Sequence, residues 1–511
     1  MENFASILDY HADRRPDKVV VTHLDTSVTN ADLLGRVNAL AEGLRDAGVV
    51  EGDVVALLLP NGVEFIEAIF AINRLGAAFL PVNIRLAPAE WEYILHNSEA
   101  TAVFAAAEFV PHVNEALRRL THLRTKIVVG DDVVDGWTQH RVLVESHLGA
   151  WIPVVDVEGA ALQRLMYTSG TTSRPKGVCI SHANVLAKNL GLIIEFGLTH
   201  DDVTAVAGPL YHVGALDMGG VATLHAGGSL VLQGRFHAPS LIDLMVQSRA
   251  TTVWLAPAMV NALLQEPSFQ HADLTALRAI MSGGEKMPES RLEKILDLLP
   301  HVRFADAYGL TETVSSDTFV PHDFMRAKLG SVGRPIPHQQ VRIGDSEGLD
   351  VPPGVIGEIL VKGPKVFSGY WRDAKATQDA FIDGWFRTGD LGRIDEDGFL
   401  YIEDRKKDMI VSGGENIASP EVERVLYEHP DIVEAAVVGH PDDRWGEVPH
   451  AFIVVRDGSE LTPDDVREFC RQRLAKFKAP AYTTIVSALP RTASGKVVKR
   501  DLRTLPEVVG S

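Results

Sequence analysis

Two cysteines in 511 residues, Cys179 and Cys470, are too few and too far apart for a disulfide framework or a cysteine metal cluster. Long apolar runs are missing as well. No stretch approaches the ~20 residues of a membrane span, and "VVALLLP" and "ATAVFAAAEFV" suit buried strands instead. Positive charge is not in excess: 49 Lys and Arg against 68 Asp and Glu give a net charge of −19. That balance argues against non-specific binding to nucleic acid or an anionic membrane, and leaves small polyanions to local Lys and Arg. The opening residues, "MENFASILDYHADRR", lack a signal-peptide core, so a cytoplasmic protein is expected. With 46% hydrophobic and 23% charged residues, the composition is that of a globular chain with large cores. The size prior suggests about three to four structural units.

What is present is alternation. Leu33, Leu34, Val37, Leu40, Ala41 and Leu44 recur at helical spacing with Asn30 as an expected cap, "VVALLLP" follows as a strand, and Phe65 to Ile72 mark the next helix. "GSLVL", "TTVWLAP" and "LRAIMSGGE" continue the scheme, the mark of an α/β fold with layered, mostly parallel sheets. Near residue 340 the texture changes. "HQQVRIG", "GEILVKG" and "GFLYIED" are short strands between turns, so 340–403 is expected to be a small β-rich subdomain of an N-terminal domain spanning 1–403. The charged run 404–408 is the expected hinge, and 409–511 a small, mobile α+β domain. In that domain Ser419 is an expected N-cap with Pro420 at the first helical position, and Thr462 and Asp465 form a capping pair.

Several segments bear chemistry. "LMYTSGTTSRPKGV" places Thr168, Ser169, Gly170, Thr171, Thr172, Ser173 and Lys176 after an apolar run. Such a run is ordinarily a surface loop, but small residues, hydroxyls and a lysine also make an anion cradle. It is not the common nucleotide loop, because Pro175 stands where that motif needs glycine. "PLYHVGALD", "SGGE", "DAYGLTE", "GEILVKG", "GYW", "GWFRTGD", "DRKKDMIVSGGEN" and "PRTASGKVVKR" follow in order.

Together these nine pieces resemble the adenylate-forming superfamily, in its acyl-CoA synthetase branch, across almost the whole chain. The resemblance implies two steps. A carboxylate attacks the α-phosphate of ATP to give an acyl-adenylate, and the thiol of coenzyme A then displaces AMP. It casts Lys496 as the catalytic lysine; a cation about 4 Å from a developing charge is worth roughly 4 kcal/mol, or about a thousandfold. Thr311 would meet the α-phosphate, and Glu312 would be the Mg²⁺ ligand. Tyr308 would pack on adenine, with Gly283, Gly284, Glu285, Asp306, Ala307 and Gly309 around the base, and Asp390 and Arg405 would serve ribose or phosphate. His212 would border the acyl and thiol tunnel, walled by Tyr211, Val213, Trp254, Met259, Gly309 and Leu310. Ser412, Gly413, Gly414 and Glu415 would line the pantetheine channel, with Trp445 and Lys478 as weaker neighbours of CoA; Lys478 on its own reads as a solvated helix-end lysine. Lys407 occupies the hinge position about which the small domain alternates. No Phe-Asp pair accompanies "PLYHVGALD", which favours an acid without an α-amine. The expected partner is therefore a small hydrophobic carboxylic acid, and a homodimer is left open.

Three other outcomes stay open at this level: amide or carrier-protein ligation through the same adenylate, a non-catalytic adenylate-binding protein, and thioesterification alone. The last arises because Ser173 stands where the family has glycine. A serine at positive φ costs about 1–2 kcal/mol, and its side chain can crowd pyrophosphate. If Ser173 limits adenylation, Ser173→Gly raises the ATP–pyrophosphate exchange rate; equal rates in the two proteins remove the idea.

Overall fold

Strand Val54–Leu58 has all five residues buried, as expected where both faces of a sheet are covered. In the computed structural model, which describes residues 3–503 apart from 119, 121, 169–174, 286, 406–407, 413–414, 443–444, 475 and 493–495, it sits inside an eight-stranded sheet. Ala78–Pro81, Ala102–Ala106, Thr125–Val129 and Leu162–Thr168 run parallel in that sheet. Lys176–Ser181 and Gly369–Tyr370 extend one edge antiparallel. A nine-stranded sheet repeats the plan. Val19–His23, Ser229–Leu232, Val203–Val206, Thr252–Leu255, Ala279–Gly283 and Arg303–Leu310 are parallel in that spatial order, and Ser315–Phe319 folds back antiparallel on the last of them.

Helices between the sheets join them into one apolar core: Phe4 stacks on Phe70 at 5.3 Å, and Phe196 of helix His182–Phe196 meets Phe319 edge-on at 4.8 Å. Gln340–Gly344, Gly357–Lys362, Trp385–Ile394 and Leu400–Arg405 make the antiparallel unit expected from the turn-rich texture. The C-terminal segment has its own sheet and its own core around Ile410, Val422, Leu426, Val437, Ile453 and Val466.

Three local expectations need correction. Helix Asn30–Asp46 is capped by Thr29, whose side chain accepts from Asp32 N–H in a reciprocal box, so Asn30 is the first helical residue. Ser419 does not cap helix Ser419–Tyr427; its hydroxyl and N–H both donate to Asp404 at 2.9 Å, so a carboxylate from outside the helix satisfies its start. "ATAVFAAAEFV" is strand only to Ala106, with a short turn and the helix Val110–Leu117 taking the rest. The Thr462–Asp465 capping box is present.

His182 shows how tightly the core selects protonation states. Its Nδ1 accepts from Phe4 N–H at 3.0 Å, and burial, helped by Arg164, pushes the ring down to about 4. The fold keeps it neutral while the unfolded chain takes up a proton near 6.5. Stability from this group is therefore present above pH 6.5 and is lost as pH falls towards 4, by up to about 2 kcal/mol at pH 5. His182→Asn is expected to lower the urea midpoint at pH 7 yet show a smaller drop between pH 7 and 5 than the wild type; parallel pH dependences would contradict this.

Candidate active site

Carboxyl ends of parallel strands are where open α/β sheets place their ligand crevices, because the loops there diverge. The candidate residues cluster at those ends. Thr168 closes strand Leu162–Thr168 and lies opposite Lys176 where that strand pairs antiparallel with Lys176–Ser181. Ser169, Gly170, Thr171, Thr172 and Ser173 lie outside the described residues. Lys176 Nζ stands 4.9 Å over the Tyr370 ring, and Tyr370 donates its hydroxyl to Glu312 Oε1 at 3.0 Å. Burial and the Glu312 charge raise the Tyr370 phenol, which keeps it a donor. Phe367 N–H also grips the Glu312 carbonyl at 2.7 Å. Thr311 and Glu312 thus sit beside the strand that begins at Lys176, in the hairpin expected to bind phosphate.

Among the described residues no group of three or more His, Cys, Asp or Glu is placed to hold a metal. A lone carboxylate suits Mg²⁺, which keeps its waters and takes phosphate oxygens for most of its shell.

The turn bearing Thr311 and Glu312 is strained. Val314 and Ser315 have φ of 51° and 75°, and a β-branched residue there is a backbone outlier costing about 1–3 kcal/mol. Gly309 must be glycine, since a Cβ would lie 1.9 Å from Ser315 O. On the nucleoside side, Tyr308 donates to Asp390 Oδ2 at 2.8 Å, both side chains being buried, and Asp390 pairs with Arg405 across neighbouring strands. Asp306 is buried, and Ala307 N–H donates to its carboxylate at 3.2 Å.

The C-terminal segment reaches into this crevice. Val497 N–H donates to Glu285 Oε1 at 3.0 Å, and Arg491 stands 4.0 Å from the same carboxylate. Glu285 is raised by burial, against the pull of Val497 N–H and the Arg491 and Lys496 charges. Lys496 lies over the "SGGE" backbone, with its Cε 3.8 Å from where a Cβ on Gly284 would stand. Glu285, expected around the base, is thus also the docking point for the segment that bears Lys496.

On the acyl side, Trp254 is pressed so closely to the chain that a Cβ on Gly214 would lie 2.3 Å from its ring. The His212 and Trp254 rings are 6.5 Å apart at 32°. Burial first, then the Lys496 charge, push His212 down to about 4. Tyr211, Val213 and Met259 are buried nearby in sequence, on the loop and helix that follow the strands Val203–Val206 and Thr252–Leu255, and Leu310 ends the strand that carries Tyr308 and Gly309. Asp217, the acid that closes "PLYHVGALD", is wholly buried and held by Arg164 at 2.7 and 2.6 Å and by Lys188 at 3.2 Å, so it is committed to cations of the core.

The thiol-side candidates are only partly assembled. Ser412 pairs with Glu415 across a hairpin and with Gly446 of the adjacent strand, which brings Trp445, 47% exposed, to that edge. Lys478 is not a solvated lysine; it binds both oxygens of Glu421 at 2.8 Å. Gly413, Gly414 and Lys407 lie outside the described residues. Tyr370 was missed by sequence reasoning, although "GYW" was noted as a motif; only its position next to the Lys176 strand reveals its reach to Glu312.

A family model described as AMP-binding enzyme matches residues 8–371, and one described as AMP-binding enzyme C-terminal domain matches 421–496. The chain belongs to the AMP-binding enzyme family, in its acyl-CoA synthetase branch, and is an ATP-dependent acid–thiol ligase. It is 38% identical over 505 residues to an indoleacetate–CoA ligase of Aromatoleum aromaticum, covering 98% of this chain and 97% of that one. It is 37% identical to a feruloyl-CoA synthase of Amycolatopsis sp, covering 96% of each. Among solved structures it superimposes with a TM-score of 0.92 on the anthranilate CoA ligase AuaEII in complex with anthranoyl-AMP, at 27% identity over 98% of this chain and 96% of that one. No helix among the described residues is long and apolar enough to cross a membrane.

A hydrogen bond to a carboxylate is worth about 1.5–3 kcal/mol, so Tyr370→Phe is expected to lower kcat/KM for MgATP by about tenfold or more. Unchanged steady-state kinetics would show that Tyr370 does not orient Glu312.

Proposed function

We propose that this protein activates an aromatic carboxylic acid with MgATP and transfers the acyl group to coenzyme A. The observation that carries the reading is the docking of the C-terminal segment on Glu285, which sets Lys496 over the Gly284 backbone and within electrostatic reach of His212.

In adenylation two anions must meet, so the protein's main work is neutralisation and alignment. The Lys496 ammonium lies between carboxylate and α-phosphate and steadies both as charge moves onto the phosphoryl oxygens. Thr311 donates its hydroxyl to the α-phosphate. Lys176 and the phosphate hairpin hold the departing pyrophosphate, while Asp390, fixed by Tyr308, accepts from the ribose hydroxyls. Glu312 would hold Mg²⁺, which supplies charge neutralisation on the polyphosphate. His212 stays neutral at physiological pH and adds no charge to the acyl wall. The flat Trp254 and His212 rings favour a planar acid, in keeping with the ring-bearing acids named in the indoleacetate, feruloyl and anthranilate relatives.

For the thiol step the small domain turns about the 404–408 segment, withdraws Lys496 and presents the Ser412–Glu415 hairpin. The acyl carbon then exchanges its bond to the AMP oxygen for one to sulfur, and AMP leaves.

Lys496→Ala is expected to depress ATP–pyrophosphate exchange by about a thousandfold while thioester formation from a supplied acyl-adenylate persists. Exchange at the wild-type rate would reject this assignment. Assayed against a panel of acids, the wild type should prefer arylacetic or cinnamic acids to straight-chain acids of equal carbon number.

A further inference from the structure

Lys365 and Asp317 are 2% and 0% exposed and 2.6 Å apart, behind the turn that carries Thr311 and Glu312. Apart from one to Gln339, their side-chain hydrogen bonds converge on that turn. Lys365 Nζ donates to Asp317 Oδ1 and to Thr313 O, each at 2.6 Å, and lies 3.4 Å from Ser315 O. Asp317 accepts in addition from the Thr313 hydroxyl, and from Gln339 at 2.8 Å. Leu310 N–H, at the turn's entry, donates to the same Thr313 hydroxyl at 3.1 Å.

A buried ion pair is a poor way to stabilise a core, because apolar side chains of similar volume usually do as well or better. What the ammonium supplies, and an apolar group does not, is donors for buried carbonyls: Thr313 O at 2.6 Å and Ser315 O at 3.4 Å, the latter also within 3.1 Å of the Thr313 hydroxyl. Val314 and Ser315, at positive φ, reverse the chain so tightly that the Thr313 and Ser315 carbonyls face the interior. Left unpaired, they would favour relaxation of the strained segment and with it a shift of Glu312. The same stretch of chain reaches Glu312 twice more, through Phe367 N–H on its carbonyl and Tyr370 on its carboxylate. It is also bound to the phosphate hairpin, since Gly369 and Tyr370 pair with Cys179 and Val178.

We propose that Lys365 and Asp317 are positioning residues: they hold the strained turn so that Thr311 and Glu312 face the polyphosphate, and the segment 365–370 couples that turn to the phosphate hairpin. The proposal rests on the assignment of Glu312 to MgATP. It concerns how adenylation is aligned rather than which groups touch the nucleotide.

The test is the double variant Lys365→Met/Asp317→Leu, in which two apolar groups replace the pair and no charge is left buried alone. It is expected to fold with a lowered thermal midpoint, because Thr313 O and Gln339 Nε2 lose these partners. Its kcat for ATP–pyrophosphate exchange should fall about tenfold, and half-saturating Mg²⁺ should rise about fivefold, with KM for the acid unchanged. Calorimetric titration with MgATP, which needs no turnover, should show weaker binding. Asp317→Asn, which keeps an acceptor for Lys365, should move the same quantities less far, and it serves alone if the double variant does not fold. Wild-type exchange and Mg²⁺ dependence in a folded variant, alongside an impaired Glu312→Gln, would overturn the positioning role. A Glu312→Gln enzyme with normal Mg²⁺ dependence would instead overturn the assignment of Glu312, and the proposal with it.

Discussion

The functional geometry depends on the Glu285 carboxylate, which accepts from Val497 N–H at 3.0 Å and faces Arg491 at 4.0 Å, while Arg424 stands 3.7 Å from Glu289 across the same boundary. Lys496 is the residue before Val497, so docking and delivery of the cation are one event. The ammonium arrives over the "SGGE" backbone at the carboxyl ends of the parallel strands, where the loops part. Its charge acts on Glu285 and on His212 across the domain boundary.

Around Lys496 the other residues assigned to the site are cross-linked by hydrogen bonds. Segment 364–370 touches three neighbours: Asn184 donates to the Pro364 and Val366 carbonyls, Lys365, Phe367 and Tyr370 bind the turn that carries Glu312, and Gly369 pairs with strand Lys176–Ser181. In the proposed cycle the groups assigned to the polyphosphate stay fixed to one another while Lys496 comes and goes. This division suits an in-line attack, in which small displacements of the reacting groups are costly in rate.

Much of the fold was legible in the sequence because its signals are local. The continuous apolar run of Val54–Leu58 declared a covered strand, and Thr462 with Asp465 declared a helix start. Where a distant partner decides the outcome, sequence reasoning failed. Ser419 looked like a cap, but Asp404, 15 residues earlier, claims its hydroxyl. Lys478 looked solvated until Glu421, 57 residues away, was placed beside it. The site was legible as a set of motifs, since Tyr308, Glu312, Asp390 and Lys496 stand in recognisable strings. Lys365 and Tyr370 were not, because their meaning lies in contacts 48 and 58 residues distant with Asp317 and Glu312. Ser173 lies outside the described residues, so its effect on adenylation is a question for kinetics.

The central claim is that one docked domain presents Lys496 for adenylation and then turns away for the thiol. Spin labels on exposed residues of the two bodies, Lys294 and Asp457, allow the distance between them to be measured by pulsed electron resonance. With ATP and a non-reactive acid analogue the distribution should hold a single population matching the docked arrangement. Loading a non-hydrolysable acyl-adenylate together with coenzyme A should shift it to a second, distinct distance. One unchanged distribution under both conditions, in protein that still turns over, would contradict the account.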